Sequence, residues 1–493
     1  MRIDIAKELI NLLSLSEVNA EDIVFKGKRV AHHLAFPIDE IMSQIHGVGG
    51  LLISHIWEEK TGIKQTPVID ITHAYLSPSA VFLIRNNGYP IYPWDLPYPT
   101  VGIYGTRDNR HIFINGGFPN LRDKILRVLE VPNDARFIQD AIKRWDALTL
   151  ENALADAKAC AAMVRDKNEW LSHPQGIALA NLPVIDVSKI HDTPSEPLNQ
   201  TTDRPLSGLK VLDLSWVVAA PTCARFFAEH GADVLHISAP HLPYIPSFAV
   251  ETGNGKREAY LDLRNEHDLS TFKKLLSEAD ILVEGWRPDA MKKFGLTPEE
   301  VQSIRPGIIH VTLSCYGKNG PFSKRAGWEQ LGQAVSGVIA SNVIEIDEQN
   351  LSGGCAKHEE ISKAKTSSRI KIVSDTLKTH GLLVCDYTTG ILGALGALSA
   401  LIKRSHQGGG YHINVSLSRS GMWLMSKSIT ASPENEITLE QLPTMYNQHF
   451  SSSSQGPFGK LEFLLPVIQL EKTPPFFQFP SSPLGSSKPE WLR

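Results

Sequence analysis

The residue best placed to do chemistry in this sequence is an aspartate at the head of a long apolar run. Asp386 precedes Thr388, Thr389 and Gly390, and the run continues from Ile391 to Ile402. Locally it reads as a helix N-cap, because an aspartate there accepts hydrogen bonds from free first-turn amides. The same amides are expected to hold its carboxyl below the usual range, which is compatible with an ionised carboxylate acting as a nucleophile. Basic residues recur at Lys256, Arg257, Arg264, Arg287, Lys292 and Lys293; taken singly, each reads as a solvated surface charge. Trp286 follows a predicted strand and suits either stacking or core packing. His46, beside Gly47, reads as a structural histidine rather than a base, and no His, Cys, Asp or Glu cluster has metal-ligand spacing. Gly390, Gly393 and Gly396 lie three apart and predict close helix packing, whereas Gly408-Gly409-Gly410 reads as a turn rather than a phosphate cradle.

These residues must be positioned by strands and helices in alternation. Lys210–Leu214, Asp233–Ile237, Ile281–Glu284, Ile308–Leu313 and His412–Leu417 are short apolar strands. Helical patterns cover 221–230, 269–279, 298–304 and 387–404. Because parallel strands need crossovers, this predicts an α/β fold with a doubly wound, Rossmann-like parallel sheet over 206–425. Residues 341–380 are polar and serine-rich, which predicts a surface insertion. Before the sheet, 1–75 reads as a helix–strand segment. Next come a small α+β domain over 76–191, with strands at 100–104 and 111–115 and helices at 119–130, 134–146, 150–164 and 167–181, and a Pro-rich linker over 192–205. The Ser/Pro-rich tail, 426–493, is expected to wrap the surface without a core of its own.

Length favours several folding units: the chain has 493 residues, 42% of them hydrophobic and 21% charged. A net charge of -4 gives no polycationic surface, so no nucleic-acid partner is expected. Cys160, Cys223, Cys315, Cys355 and Cys385 are scattered and lack a C-x-x-C pair, which argues against a disulfide framework and suits a reducing compartment. The longest apolar stretch, Ile391–Ile402, is too short to span a bilayer, so no membrane partner is expected. Met1–Leu13 lacks the parts of a signal peptide, and the last four residues match no targeting address. The expected location is the cytoplasm.

An internal echo links the two ends of the chain. Glu58–Gln65 before a strand resembles Arg404–Tyr411 before His412–Leu417, and a constant offset of 346 (411 − 65) superposes Gly50 on Gly396 and Glu40 on Asp386.

Six segments occur in an order that resembles the class III CoA-transferases, the CaiB/BaiF family. They are Pro205–Leu214 with Val217–Pro221; Gly231–Val234; Gly255-Lys256-Arg257 with Leu261–Arg264; Ala279–Pro288; Tyr316-Gly317 with Gly320-Pro321 and Arg325–Glu329; and Asp386 with Gly390. Lys167–Gly176 resembles a late helix of the family, so the two halves stand in exchanged order. Two chains interlock in that family, and the resemblance implies a homodimer. It further implies CoA transfer between an acyl-CoA and a carboxylic acid through an aspartyl anhydride and thioester, with CoA as substrate and no separate cofactor. It makes Asp386 the nucleophile, and Val218, Ala219, Arg257, Leu261, Arg264, Trp286, Arg287, Lys293, Arg325 and Trp328 the CoA-binding residues, with Lys256, Arg257, Arg264, Arg287, Lys292 and Lys293 as the candidate set for the CoA phosphates. Departures are Gly285 in place of asparagine, Ala239 where some members have a basic residue, and an insertion that sets Glu329 and Asp386 57 positions apart (386 − 329); in addition, Trp328 stands where racemases of the superfamily carry histidine. The last disfavours the alternative of an acyl-CoA racemase or isomerase, which needs two acid/base groups. A catalytically inactive CoA-fold binding protein is the third reading.

Overall fold

Alternating short apolar strands and helices give the main sheet of this computed structural model, which describes residues 3–492 apart from 33, 93–97, 199, 201–202, 342–381 and 428–435. All but Ser341 of the expected insertion therefore lies outside the described residues. The seven strands are β1 (Asp186–His191), β2 (Lys210–Leu214), β3 (Asp233–Ser238), β4 (Arg257–Tyr260), β5 (Ile281–Glu284), β6 (Ile309–Ser314) and β7 (Gly410–Ser416). Their spatial order is β4-β3-β2-β5-β6-β7-β1. All neighbours pair parallel except β1, which runs antiparallel to β7. The expected mixed α/β fold with a mostly parallel sheet is thus present. The order reverses at β2 and β5, and such a reversal leaves a crevice beyond the strands' carboxyl ends.

Five helices matter for the site: α1 (Ile38–Thr61), α2 (Ala219–Glu229), α3 (Glu329–Ser336), α4 (Val384–Gln407) and α5 (Leu417–Leu424). By length and composition α4 could cross a bilayer, but its apolar window is wholly buried inside the protein. It is a core helix packed on α1 and α2.

The small domain departs from expectation in two places. The helix predicted over 150–164 stops at Asp156, Lys158 turns the chain at a φ of 56°, and Ala161–Met163 becomes a strand on His111–Asn115. The helix predicted over 167–181 breaks at His173, which is extended because Pro174 disfavours a helical predecessor. The tail departs further. Ser451–Gly456 and Gly459–Leu464 form a hairpin, and Ile468–Leu470 adds to a sheet, so Leu461, Phe463, Ile468 and Leu470 are buried. Only the last stretch lies along the surface, where the Ser487 amide donates to the Glu258 carbonyl of β4 at 2.7 Å.

The echo at offset 346 is a structural repeat. α1 and α4 each have 24 residues, and both ends match that offset. Each helix is followed by a strand and a further helix, which begin at Ile71 and Leu417, again 346 apart (417 − 71). The contacts repeat as well. A Cβ placed on Gly50 would meet Pro67 at 2.5 Å and Ile468 at 3.1 Å; one on Gly396 would meet Ile413 and Ile185, both at 2.8 Å. A Cβ on Gly47 would meet Ile23 at 2.8 Å, and one on Gly393 would meet Val311 at 3.3 Å. Val24–Lys26 pairs parallel with Pro67–Asp70 as β6 pairs with β7. The third strands are exchanged: β1, which follows the first repeat, adds antiparallel to β7, while Ile468–Leu470, which follows the second, adds antiparallel to Pro67–Asp70.

Candidate active site

Asp386 is not the N-cap that its local pattern suggested. The cap position of α4 falls on Leu383, which offers no side-chain acceptor, and Asp386 sits inside the first turn. The acceptor comes instead from α3. The Glu329 carboxylate takes the Cys385 amide at 2.9 Å and also the Asp386 amide, and Gln333 donates to it in turn. Glu329 and Asp386 are 2% and 5% exposed. Burial, and then the charge of Glu329, push the Asp386 carboxyl well above the usual carboxylate range. Burial also raises Glu329, against the hydrogen bonds from Gln333 and the two amides. The lowering expected for Asp386 from first-turn amides is therefore overturned, because Glu329 occupies those amides. Among the described residues no ion pair reaches Asp386.

A chain of aromatic side chains starts at the residue that precedes Glu329. Trp328, the residue before α3, lies 4.8 Å from Phe118 of the small domain, whose ring stacks on Trp216 at 4.7 Å. Trp216 lies 5.4 Å from Trp286, whose Nε1 donates to the Leu214 carbonyl at 3.0 Å. Trp286 is thus fixed at the crevice where the strand order reverses, with its ring against core residues. The chain turns from β2 into α2 through Val217, which has a φ of 73°, an outlier for a β-branched residue and of the kind that gathers at functional turns. Val218 is buried and Ala219 begins α2. A Cβ on Gly390, one turn after Asp386, would lie 2.4 Å from the Ala219 carbonyl oxygen, so glycine lets α2 and α4 cross here.

A cleft opens beside these rings, lined by residues that include Phe118, Trp216, Val217, His236, Tyr244 and Phe248. Its floor holds a buried charge network. Lys256 donates to Asp213 at 2.7 Å and to the Pro221 carbonyl at 2.8 Å, while His236 pairs with Glu258. Burial alone would lower His236, but Glu258 and Asp213 outweigh it and hold the imidazole up at about 9. Asp386 is not among the residues lining the cleft.

The predicted cations do not converge. Arg257 holds Asp233 through both carboxylate oxygens at 2.8 and 3.0 Å and donates to the Glu490 carbonyl. Arg264 is exposed and pairs with Asp262 at 2.7 Å. Arg325 faces the small domain, donating to Asn152 at 2.8 Å and lying 3.7 Å over the Phe322 ring. Leu261 is buried, its amide bonded to the Ser238 carbonyl. Arg287, Lys292 and Lys293 are exposed beyond the end of β5, on one short stretch with Trp286. The structure thus links Trp328 to Trp286 through Phe118 and Trp216 and sets Ala219 against α4 at Gly390, leaves Arg287 and Lys293 open to solvent, and engages Arg257, Arg264 and Arg325 elsewhere. Sequence reading did not assign Phe118, Val217 or His236 to the site, and Lys256, which it grouped with the candidate phosphate-binding cations, is instead buried on Asp213. Gly116-Gly117 before Phe118 was the available signal, since a Cβ on Gly117 would lie 3.5 Å from Trp328. His46 proves structural: it is bonded to Ser77 at 3.2 Å, and burial lowers it to about 3.

The strand–turn–helix crevice and the carboxylate at the head of α4 define a CoA-transferase-type α/β protein. The chain belongs to CoA-transferase family III, whose family model matches residues 206–458. It is 29% identical over 348 residues to the acetyl-coenzyme A transferase nodX of Hypoxylon pulicicidum, covering 66% of this chain and 54% of that one. It is 25% identical over 430 residues to an acyl-CoA transferase of Gibberella moniliformis, covering 80% of this chain and 71% of that one. It is 29% identical over 232 residues to the beta subunit of the succinyl-CoA–L-malate CoA-transferase of Chloroflexus aurantiacus, covering 45% and 51%. The chain thus spans about half the length of two of these three relatives. Among solved structures, a CAIB/BAIF family protein from Brucella suis matches with a TM-score of 0.36 and 20% identity, over 52% of this chain and 65% of that one.

Proposed function

We propose that this protein moves CoA from an acyl-CoA to a carboxylic acid, with Asp386 as the carboxylate that carries the acyl group. The observation that carries this reading is the placement of Asp386: a buried carboxyl in the first turn of α4, reached by no cation among the described residues and held next to the Glu329 carboxylate. A carboxylate neutralised by a guanidinium would be a poor nucleophile, whereas one held next to a second carboxylate is destabilised and reactive once ionised. An Asp386 oxygen attacks the thioester carbonyl, the C–S bond breaks, and CoA leaves as thiolate. The thiolate attacks the aspartyl carbonyl of the resulting anhydride and expels the first acid. The acceptor carboxylate then attacks the aspartyl thioester and expels the thiolate, which attacks the acceptor's acyl carbon and frees Asp386. Arg287 and Lys293 would bind the CoA phosphates, and Trp286, Val218 and Ala219 would line the bound nucleotide.

Isomerisation is less well supported, because Glu329 and Asp386 are neighbours rather than groups on opposite faces of a carbon. A reducing, cytoplasmic setting belongs to the same proposal, since Cys160, Cys223, Cys315 and Cys385 are buried free thiols. The test is to incubate the protein with acyl-CoAs, trap with hydroxylamine or borohydride, and map the product by mass spectrometry. Modification is expected at Asp386. Full transfer by an Asp386→Ala variant would overturn the assignment, and exchange of an α-proton without modification would favour isomerisation.

A further inference from the structure

The repeat described above has a two-fold character that bears on how many chains make one working site. In a two-fold interface, equivalent residues meet at the axis, and whatever one copy gives, the other returns. Both signs are present inside this one chain. Met42 and Thr388 are equivalent at the 346 offset (388 − 42), both are buried, and the Thr388 hydroxyl lies 3.7 Å from the Met42 sulfur. The third strands are exchanged reciprocally, and Gly50 and Gly396 press against equivalent partners, the neighbouring strand residue (Pro67 or Ile413) and an isoleucine at the exchanged strand (Ile468 or Ile185). The face of α4 that a symmetric partner would cover is therefore covered by α1 of the same chain.

The two equivalent carboxylates differ in what surrounds them. Arg29 binds Asp39 through Nε at 2.8 Å and Nη2 at 3.0 Å, and pairs with Glu40 as well. Burial would raise Asp39, but His32 and Arg29 outweigh it and hold it at about 2. The first turn of α1 is thus an internally neutralised ion cluster, whereas that of α4 holds a carboxyl pair that no cation reaches among the described residues.

We propose that the first repeat stands in for a second chain: the working unit is a single chain with one acyl-accepting carboxylate, and Glu40, at the equivalent position, is silent because Arg29 neutralises it. This replaces the homodimer implied by family resemblance. It rests on the reading of Asp386 as the nucleophile for its chemistry, but not for its assembly.

The experiment has two readouts on the same purified chain. Sedimentation equilibrium or light scattering across micromolar concentrations gives the particle mass; after acyl-CoA treatment and trapping, intact mass gives the number of modified carboxyls and peptide mapping their position. The expected result is a particle of one chain with one equivalent, on Asp386 and none on Glu40. A stable two-chain particle, or label on Glu40, overturns the proposal. A one-chain particle with no label on either residue overturns the nucleophile assignment and leaves the assembly confirmed, so the two failures are distinguishable.

Discussion

The first turns of α1 and α4 are the same backbone under two different electrostatic regimes. Both helices have 24 residues and start without a side-chain cap, and each places an acidic residue at the equivalent position, Glu40 or Asp386. In α1, Arg29 and His32 compensate the carboxylates and hold Asp39 ionised. In α4 the nearest charged group is another carboxylate, Glu329, so burial and repulsion are left uncompensated. The difference teaches that one scaffold can hold a carboxylate either as a structural ion pair or as a destabilised group beside a second carboxylate. The choice is made by which residue the preceding element delivers.

The largest effect expected from breaking this contrast is on rate. Asp386→Ala should lower acyl exchange on the order of 10³-fold or more, as loss of a covalent nucleophile does. Glu40→Gln should leave exchange unchanged; CoA exchange assays on both variants compare the two positions directly. On stability the ranking inverts. Arg29→Met leaves Asp39 and Glu40 buried without their guanidinium and should cost about 3–5 kcal/mol, read from denaturant midpoints.

The α4 pair gives a pH signature of the opposite sign. Its carboxyls bind protons more tightly in the folded than in the unfolded chain, so stability falls as pH rises from the ordinary carboxylate range toward their raised values. Asp386→Asn should remove part of that fall, and its gain in melting temperature over the parent should be larger at pH 8 than at pH 5. Glu329→Gln removes the charge and keeps one of the two oxygens to which the Cys385 and Asp386 amides donate. The acidic limb of the acylation profile, where Asp386 ionises, should then move to lower pH; an unmoved limb would detach Glu329 from Asp386. The smallest effect tests the repeat itself. Gly50→Ala and Gly396→Ala should each destabilise by about 1–3 kcal/mol and by similar amounts, because both would push a Cβ into equivalent neighbours.

Much of the main sheet was legible from the sequence because each strand is a short apolar run bounded by helices, and a parallel sheet buried on both faces requires that pattern. Asp386 stood out through the ordered family segments around it, since its own local pattern suggested only a helix cap. Its environment did not, since Glu329 lies 57 positions away (386 − 329) and reaches the α4 amides only through packing. Arg257 and Arg325 were misplaced because a cation's nearest carboxylate, here Asp233 or Glu151, is chosen by strand register and domain contact rather than by spacing. The tail misled through composition: its serines form a hairpin strand whose partner strand carries the buried residues.

The sequence by itself determined the alternation of strands and helices, the carboxylate at the head of α4, and the 346-residue echo, because these depend on local periodicity and covalent order. Only the tertiary structure decided that the echo is a repeat with exchanged strands, that Arg29 pairs with Glu40 while no ion pair reaches Asp386 among the described residues, and that the rings of Phe118, Trp216 and Trp328 meet. Those outcomes depend on which distant groups share a buried, weakly screening interior, where a single neighbouring charge changes what a carboxylate does.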